Sequence, residues 1–334
     1  MNILFCMLAA VHALAAPNIP LEERMEPPML LSETALFQSP VANLVPSVEL
    51  RSFEINQPLW VDHAKKQRYL YLPVGQKVVF SPTEAYVFPV GTILVKHFRM
   101  ETARNIFQNL ETRVLVRKKD VANKENWVGY TYRWDGNDAR LVADRENPVL
   151  KLTIDGTAAG GARNQDFKIP NRRQCLTCHN ASVGYVRSFL TGQLNRLVGN
   201  AQQLESLSRA GLFDHELGSA RQYESFVPIA DLTHSLESRV KTYLAVNCAH
   251  CHNPDPQASC NFVGLDFRFA SFKTADLLKS GHIVPGNKNG SEIFRRMNSV
   301  KPGERMPFIG SALRDESALQ AFGEWIDGLA PNKP

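Results

Sequence analysis

Two hydrophobic periodicities divide the chain. From about residue 51 to 165, apolar residues fall in short β-branched and aromatic runs at 67–72, 77–80, 92–100, 112–117, 127–134 and 149–154. Gly, Pro and Asn-Asp clusters bound these runs, as strand ends require. Asp135-Gly136 lies between two runs and marks a hairpin. Strands at this spacing predict a small antiparallel sandwich or barrel. From about residue 166 the apolar spacing becomes helical. Ser235 caps a predicted helix whose apolar face is Leu236, Val240, Tyr243 and Leu244. Asp315 caps another, with Leu319, Phe322, Ile326 and Leu329 on one face. The expected fold class is therefore α+β in two domains: an antiparallel β domain over 51–165, then a mainly helical region over 166–334.

The N-terminal end reads differently from both. Residues 3–16 form an apolar run that ends in small residues, and Ala13-Leu14-Ala15 fits the A-x-A cleavage pattern. A signal peptide over 1–16, cleaved near Ala15 or Ala16, is expected. No Lys or Arg precedes the run, and a buried N-terminal helix is the rival reading. Cys6 follows Ile3-Leu4-Phe5, so it does not form a lipobox. Residues 17–50 are proline-rich and predict an extended lead-in with one helical turn near 33–37. Elsewhere there is no stretch of about 18 apolar residues, so no internal membrane span is expected.

The chemistry lies in one motif that occurs twice, C-x-x-C-H. It appears as Cys175-Leu-Thr-Cys178-His179 and as Cys248-Ala-His-Cys251-His252. With 6 cysteines and 9 histidines in 334 residues, a repeated chance match is negligible. This is the attachment motif of c-type haem. Positions i, i+3 and i+4 share one face of a helical turn, so two thiols reach one haem edge while the histidine turns to the iron. Two covalently bound c-type haems are expected, within 166–230 and 231–334. The rival is zinc held by four thiolates. A histidine after each pair, the long separation and the export signal all favour haem. The net charge is only +5, with Lys and Arg scattered, so nucleic-acid binding has no electrostatic footprint.

His179 and His252 are the expected proximal ligands. Met306, followed by Pro307 after the loop 301–306, is the expected distal ligand of the second haem. Met297 is its competitor and is expected to pack against the macrocycle instead. His250, inside the second motif, is expected to face solvent. No methionine lies between His179 and Met297, so the sixth ligand of the first haem must come from elsewhere or be absent. By strand alternation, Ile93, Val95 and His97 share one face of 92–100, while Phe98 and Met100 share the other. His97 is the preferred candidate; the alternative is a hydrogen-bonded core histidine. His63, His215, His234 and His282 are weaker candidates. Cys260 is left over and is expected to be a buried thiol.

Across about 30–330 the chain resembles a family of bacterial exported di-haem c-type cytochromes with an N-terminal β-rich domain. The residues that carry the resemblance include Ser32-Glu-Thr-Ala-Leu-Phe37, Asn56-Gln-Pro-Leu-Trp60, Phe88-Pro-Val-Gly-Thr92, Leu94-Val-Lys-His-Phe98, Gln174-Cys-Leu-Thr-Cys-His179 and Asn247-Cys-Ala-His-Cys-His-Asn253. The segment with Met306-Pro307 and Glu324-Trp-Ile326 is similar to class I cytochrome c, where the helix entering the motif crosses the C-terminal helix. The resemblance implies a periplasmic electron carrier between a redox donor and acceptor that the sequence does not identify. Two alternatives stay open: a peroxidase-like enzyme with an open first haem, and a subunit that docks a periplasmic dehydrogenase.

Overall fold

The computed structural model describes residues 21, 26–120 and 122–330; the signal-peptide reading at 1–16 lies outside the described residues. The β region is one six-stranded antiparallel sheet in simple meander order. Its strands are β1 (Arg51–Ser52), β2 (Lys65–Tyr71), β3 (Ile93–Ala103), β4 (Ile106–Lys119), β5 (Glu125–Asp135) and β6 (Asp138–Leu141). The apolar runs locate β2 to β5. The run at 77–80 makes only isolated bridges, Val78 to Phe213 and Val79 to Val87. The hairpin expected at Asp135-Gly136 is present: Asp135 pairs with Asp138, and Gly136 takes φ +61°.

The predicted sandwich or barrel is not what forms. Within the β region a separate hairpin, β7 (Val149–Ile154) with β8 (Arg163–Lys168), accompanies the open sheet. Each sheet face is instead covered by chain that is not sheet. On one face Ile93, Val95, Val114 and Tyr132 pack against Leu31, Leu36, Phe37 and Val41 of the lead-in. The lead-in holds this position through short 3-10 turns at Leu31–Thr34 and Val41–Asn43. On the other face Leu70, Leu94 and Leu115 pack against Val186, Phe189, Leu194 and Leu204. Each such side chain contributes about 1.5–3 kcal/mol on full burial. Alternating apolar positions thus need two covers, and the sequence pattern alone does not say which segments provide them.

The helical part is smaller. Its elements are α1 (Arg172–Cys178), α2 (Thr191–Leu194), the short pair β9 (Leu197–Val198) and β10 (Ala201–Gln202), α3 (Gln203–Arg209), α4 (Leu236–Asn247), α5 (Thr274–Lys279), α6 (Glu292–Asn298) and α7 (Glu316–Asp327). Both predicted caps form: Ser235 Oγ accepts from Ser238 N at 3.2 Å, and Asp315 Oδ1 accepts from Ala318 N at 3.1 Å. α4 and α7 pack across each other, with the Tyr243 and Phe322 rings 5.7 Å apart and edge-on. Their core, with Val240, Leu244, Leu319 and Ile326, is separate from those of the sheet. No helix among the described residues is long and apolar enough to cross a membrane.

His97 lies on the lead-in face of β3 with Ile93 and Val95, fully buried. Its Nδ1 is 2.9 Å from Thr112 Oγ1, and its Nε2 is 3.1 Å from Asn109 Oδ1. Thr112 Oγ1 also accepts from Trp134 Nε1 at 3.0 Å. The hydroxyl therefore donates to His97 Nδ1, and Nε2–H donates to the Asn109 carbonyl oxygen. Both ring nitrogens are committed, on the face away from the first motif. The expected role of His97 as an iron ligand is corrected here: it is the core histidine of a closed polar network.

Burial lowers the His97 pKa from 6.5 to about 4. An unfolded chain takes up this proton near pH 6.5, whereas the folded chain resists it until about pH 4. Stability is therefore lost as pH falls through that window, by at most about 3 kcal/mol from this group. Denaturant unfolding at pH 7.5 and pH 5 should show a smaller loss in His97→Gln than in the parent. Equal losses would remove His97 as the source.

Candidate functional site

The first motif sits on the sheet face opposite His97. Its helix, α1, starts with a reciprocal cap: Asn171 Oδ1 accepts from Gln174 N at 3.1 Å, and Gln174 Oε1 accepts from Asn171 N at 3.0 Å. Asn171 Nδ2 also donates to Glu146 O at 3.1 Å, which ties the helix start to the chain before β7. Cys175 lies directly over Gly129 of β5, where a Cβ would stand 3.0 Å from the Cys175 Cβ. Its sulfur is 3.5 Å from Thr131 Oγ1. Glycine in mid-strand normally weakens a sheet; here it leaves room for the motif.

His179 follows the end of α1. Its Nδ1 is 2.7 Å from the carbonyl oxygen of Tyr185. A carbonyl only accepts, so Nδ1 carries the proton and Nε2 keeps its lone pair free. This is how a metal-ligating imidazole is oriented. Burial, with Lys96 and Arg187 nearby, pushes the His179 pKa down to about 3, so the ring is neutral.

The second motif starts where α4 ends. Cys248 N donates to Leu244 O, and His252 N donates to Cys248 O, both at 2.9 Å. One cavity is lined by Cys248, Cys251, His252, Met297, Met306 and Trp60. His252 and Met306 thus share a cavity, and Met297 also packs on the α4–α7 core. The Met306 loop is held from two sides. Met306 N donates to Arg296 O at 2.9 Å. From the β region, Trp60 Nε1 donates to Leu313 O at 2.9 Å, and the Asp62 carboxylate accepts from Ala312 N and Leu313 N, each at 2.8 Å.

The two motifs touch. Asn180 Nδ2 donates to His250 O at 3.1 Å, and Asn253 Nδ2 donates to Ser182 Oγ at 3.2 Å. The Arg187 guanidinium donates to Val246 O. This contact corrects the expectation for His250, which is buried and not solvent-facing. Its Nδ1 and that of His252 are buried with no hydrogen-bond partner among the described residues.

These donors fit a haem at each motif: two thiols and one imidazole line one cavity at the second, while Cys175 and His179, its proton already committed, line another at the first. All five described cysteines are free, and Cys260 is buried. Among the described residues no group of three or more His, Cys, Asp or Glu is arranged to hold a metal ion. Several residues at these sites escape a motif reading, namely Trp60, Asp62, Lys96, Arg113 and Arg187. Lys96 left a signal of its own, as a charge inside the apolar run Ile93 to Phe98. It lines the cavity shared by Cys175 and His179. Burial and the nearby Arg68 and Arg113 hold its pKa well below the usual lysine value.

Residues 248–307 match the family model described as Planctomycete cytochrome C (PSCyt1). This stretch runs from the first cysteine of the second motif to the proline after Met306. No curated protein and no solved structure matches the chain. The C-terminal region is cytochrome c-like, which supports covalently bound haem and haem-based electron transfer.

Proposed function

We propose that the chain is an exported di-haem c-type cytochrome that passes electrons between redox partner proteins. Cys175 and Cys178 hold one haem by thioether bonds, and Cys248 and Cys251 hold the other. His179 and His252 are the proximal ligands, and Met306 is the distal ligand of the second. Bound haem supplies an iron that changes by one electron, with a potential set by axial ligands, burial and hydrogen bonding. The protein's part is orientation and exclusion of water. The Tyr185 carbonyl aims the His179 ring, and Trp60 and Asp62 pin the loop that presents Met306. The observation that carries the di-haem reading is the direct hydrogen bonding between the two motif segments. Contact between the two motif segments supports short-range transfer between haems attached there.

Protein exported in a host with c-type maturation should give two c-type haems per chain in a pyridine haemochrome assay. Replacing both cysteines of either motif by alanine should leave one. Low-spin spectra from both irons accord with electron transfer; a persistent high-spin iron would favour an enzyme, and zinc without haem would overturn the reading.

Met306→Ala should abolish the methionine-to-iron band and spare the first haem. Asp62→Ala strands two backbone N–H groups, at about 1–3 kcal/mol each. The band should then melt at lower denaturant than in the parent, with Asp62→Asn in between. Coincident band-melting curves would show that Asp62 does not hold the loop.

A further inference from the structure

On the di-haem reading above, we propose that Lys96 Nζ is the distal ligand of the first iron, opposite His179. Lys96 and His179 line the same cavity, together with Cys175. Lys96 follows Leu94 on the sheet face that meets the first motif, the reverse of the face that holds His97. Alternation along β3 requires this: neighbours 96 and 97 cannot share a face.

Elimination points the same way. No methionine, and no histidine besides His179, lines that cavity. Its other cationic side chains are Arg68, Arg113 and Arg187, and a guanidinium has no lone pair to give. Ser188 offers only a hydroxyl, a poor donor to iron beside an amine. The Tyr130 hydroxyl is turned to the other face, where it accepts from Lys118 at 3.4 Å.

Lys96 also lacks any other partner. Lys66, on the adjacent strand, donates to Leu59 O at 2.8 Å, and Arg113 is held by Glu111 at 2.5 and 3.0 Å. Lys96 makes no hydrogen bond and no ion pair among the described residues. Its cross-strand neighbours are Arg68 on β2 and Arg113 on β4, so three basic side chains stand in one row. Like charges directly opposite are destabilising. An amine that gives its lone pair to iron has released its proton to solvent, and the iron keeps its oxidation state in that step. Ligation thus removes one positive charge from the row and gives the nitrogen a partner.

The test uses the full-length holoprotein in the ferric state. Near-infrared magnetic circular dichroism should show a histidine/amine signature beside the histidine/methionine one. Lys96→Ala should turn one haem in two high-spin by electron paramagnetic resonance. The methionine-to-iron band and the haemochrome count of two should not change, and added ethylamine should restore the low-spin signal. Lys96→Arg keeps the charge without a lone pair and should give the same high-spin iron. Spectra of the variants that superimpose on the parent would overturn the proposal. So would a parent whose first haem is high-spin or bis-histidine, and that parent spectrum decides even if neither variant accumulates. A haemochrome count of one would instead overturn the di-haem reading itself.

Discussion

Cys175 rests on the bare backbone of Gly129, and the arrangement of the first site depends on that contact. A side chain at 129 would meet the Cys175 Cβ at about 3.0 Å and lift α1 off the sheet. With glycine there, the motif lies flat on β5, next to the row Arg68, Lys96, Arg113 and Thr131. His179 then falls where the Tyr185 carbonyl can accept a hydrogen bond from its Nδ1–H. The sheet is therefore one wall of the first site.

The same sheet separates two polar clusters, one around the buried His97 and one around the half-buried Lys96. On the lead-in face, Trp134, Thr112, His97 and Asn109 form a chain in which each donor finds an acceptor. Such a network is stable because nothing in it is left unpaired. On the motif face, Lys96 has no acceptor and sits among guanidiniums. The proposed ligation makes the difference between the two faces physical: one polar cluster is complete in the polypeptide, the other is completed by iron.

The second site is tied to the β region through the segment that precedes β2. Trp60 N donates to Asn247 Oδ1 at 2.8 Å, just before the second motif, while Trp60 Nε1 and Asp62 grip Leu313 and Ala312 beyond Met306. Gln57 makes a similar bridge, accepting from Ile229 N at 2.7 Å. The six residues from Gln57 to Asp62 thus touch the chain on both sides of segment 248–307, which matches the cytochrome family model. The β region is built into both candidate sites.

The local sequence determined much of this protein. Thiol and imidazole spacing named the cofactor, and Ser235 and Asp315 marked the starts of α4 and α7, because caps and helical faces are set within a few residues. Alternation located β2 to β5 and placed 96 and 97 on opposite faces. It did not say which face meets the first motif, since period two is symmetric between the sides of a sheet. That choice depends on where distant segments pack: the lead-in on one side, Phe189 and Leu194 on the other. Only the tertiary structure made His97 a core residue and Lys96 a cavity residue. It also buried His250, through a contact between motifs far apart in the chain. Spacing along the chain records which groups can act together on one turn; only the packing of remote segments decides which groups meet.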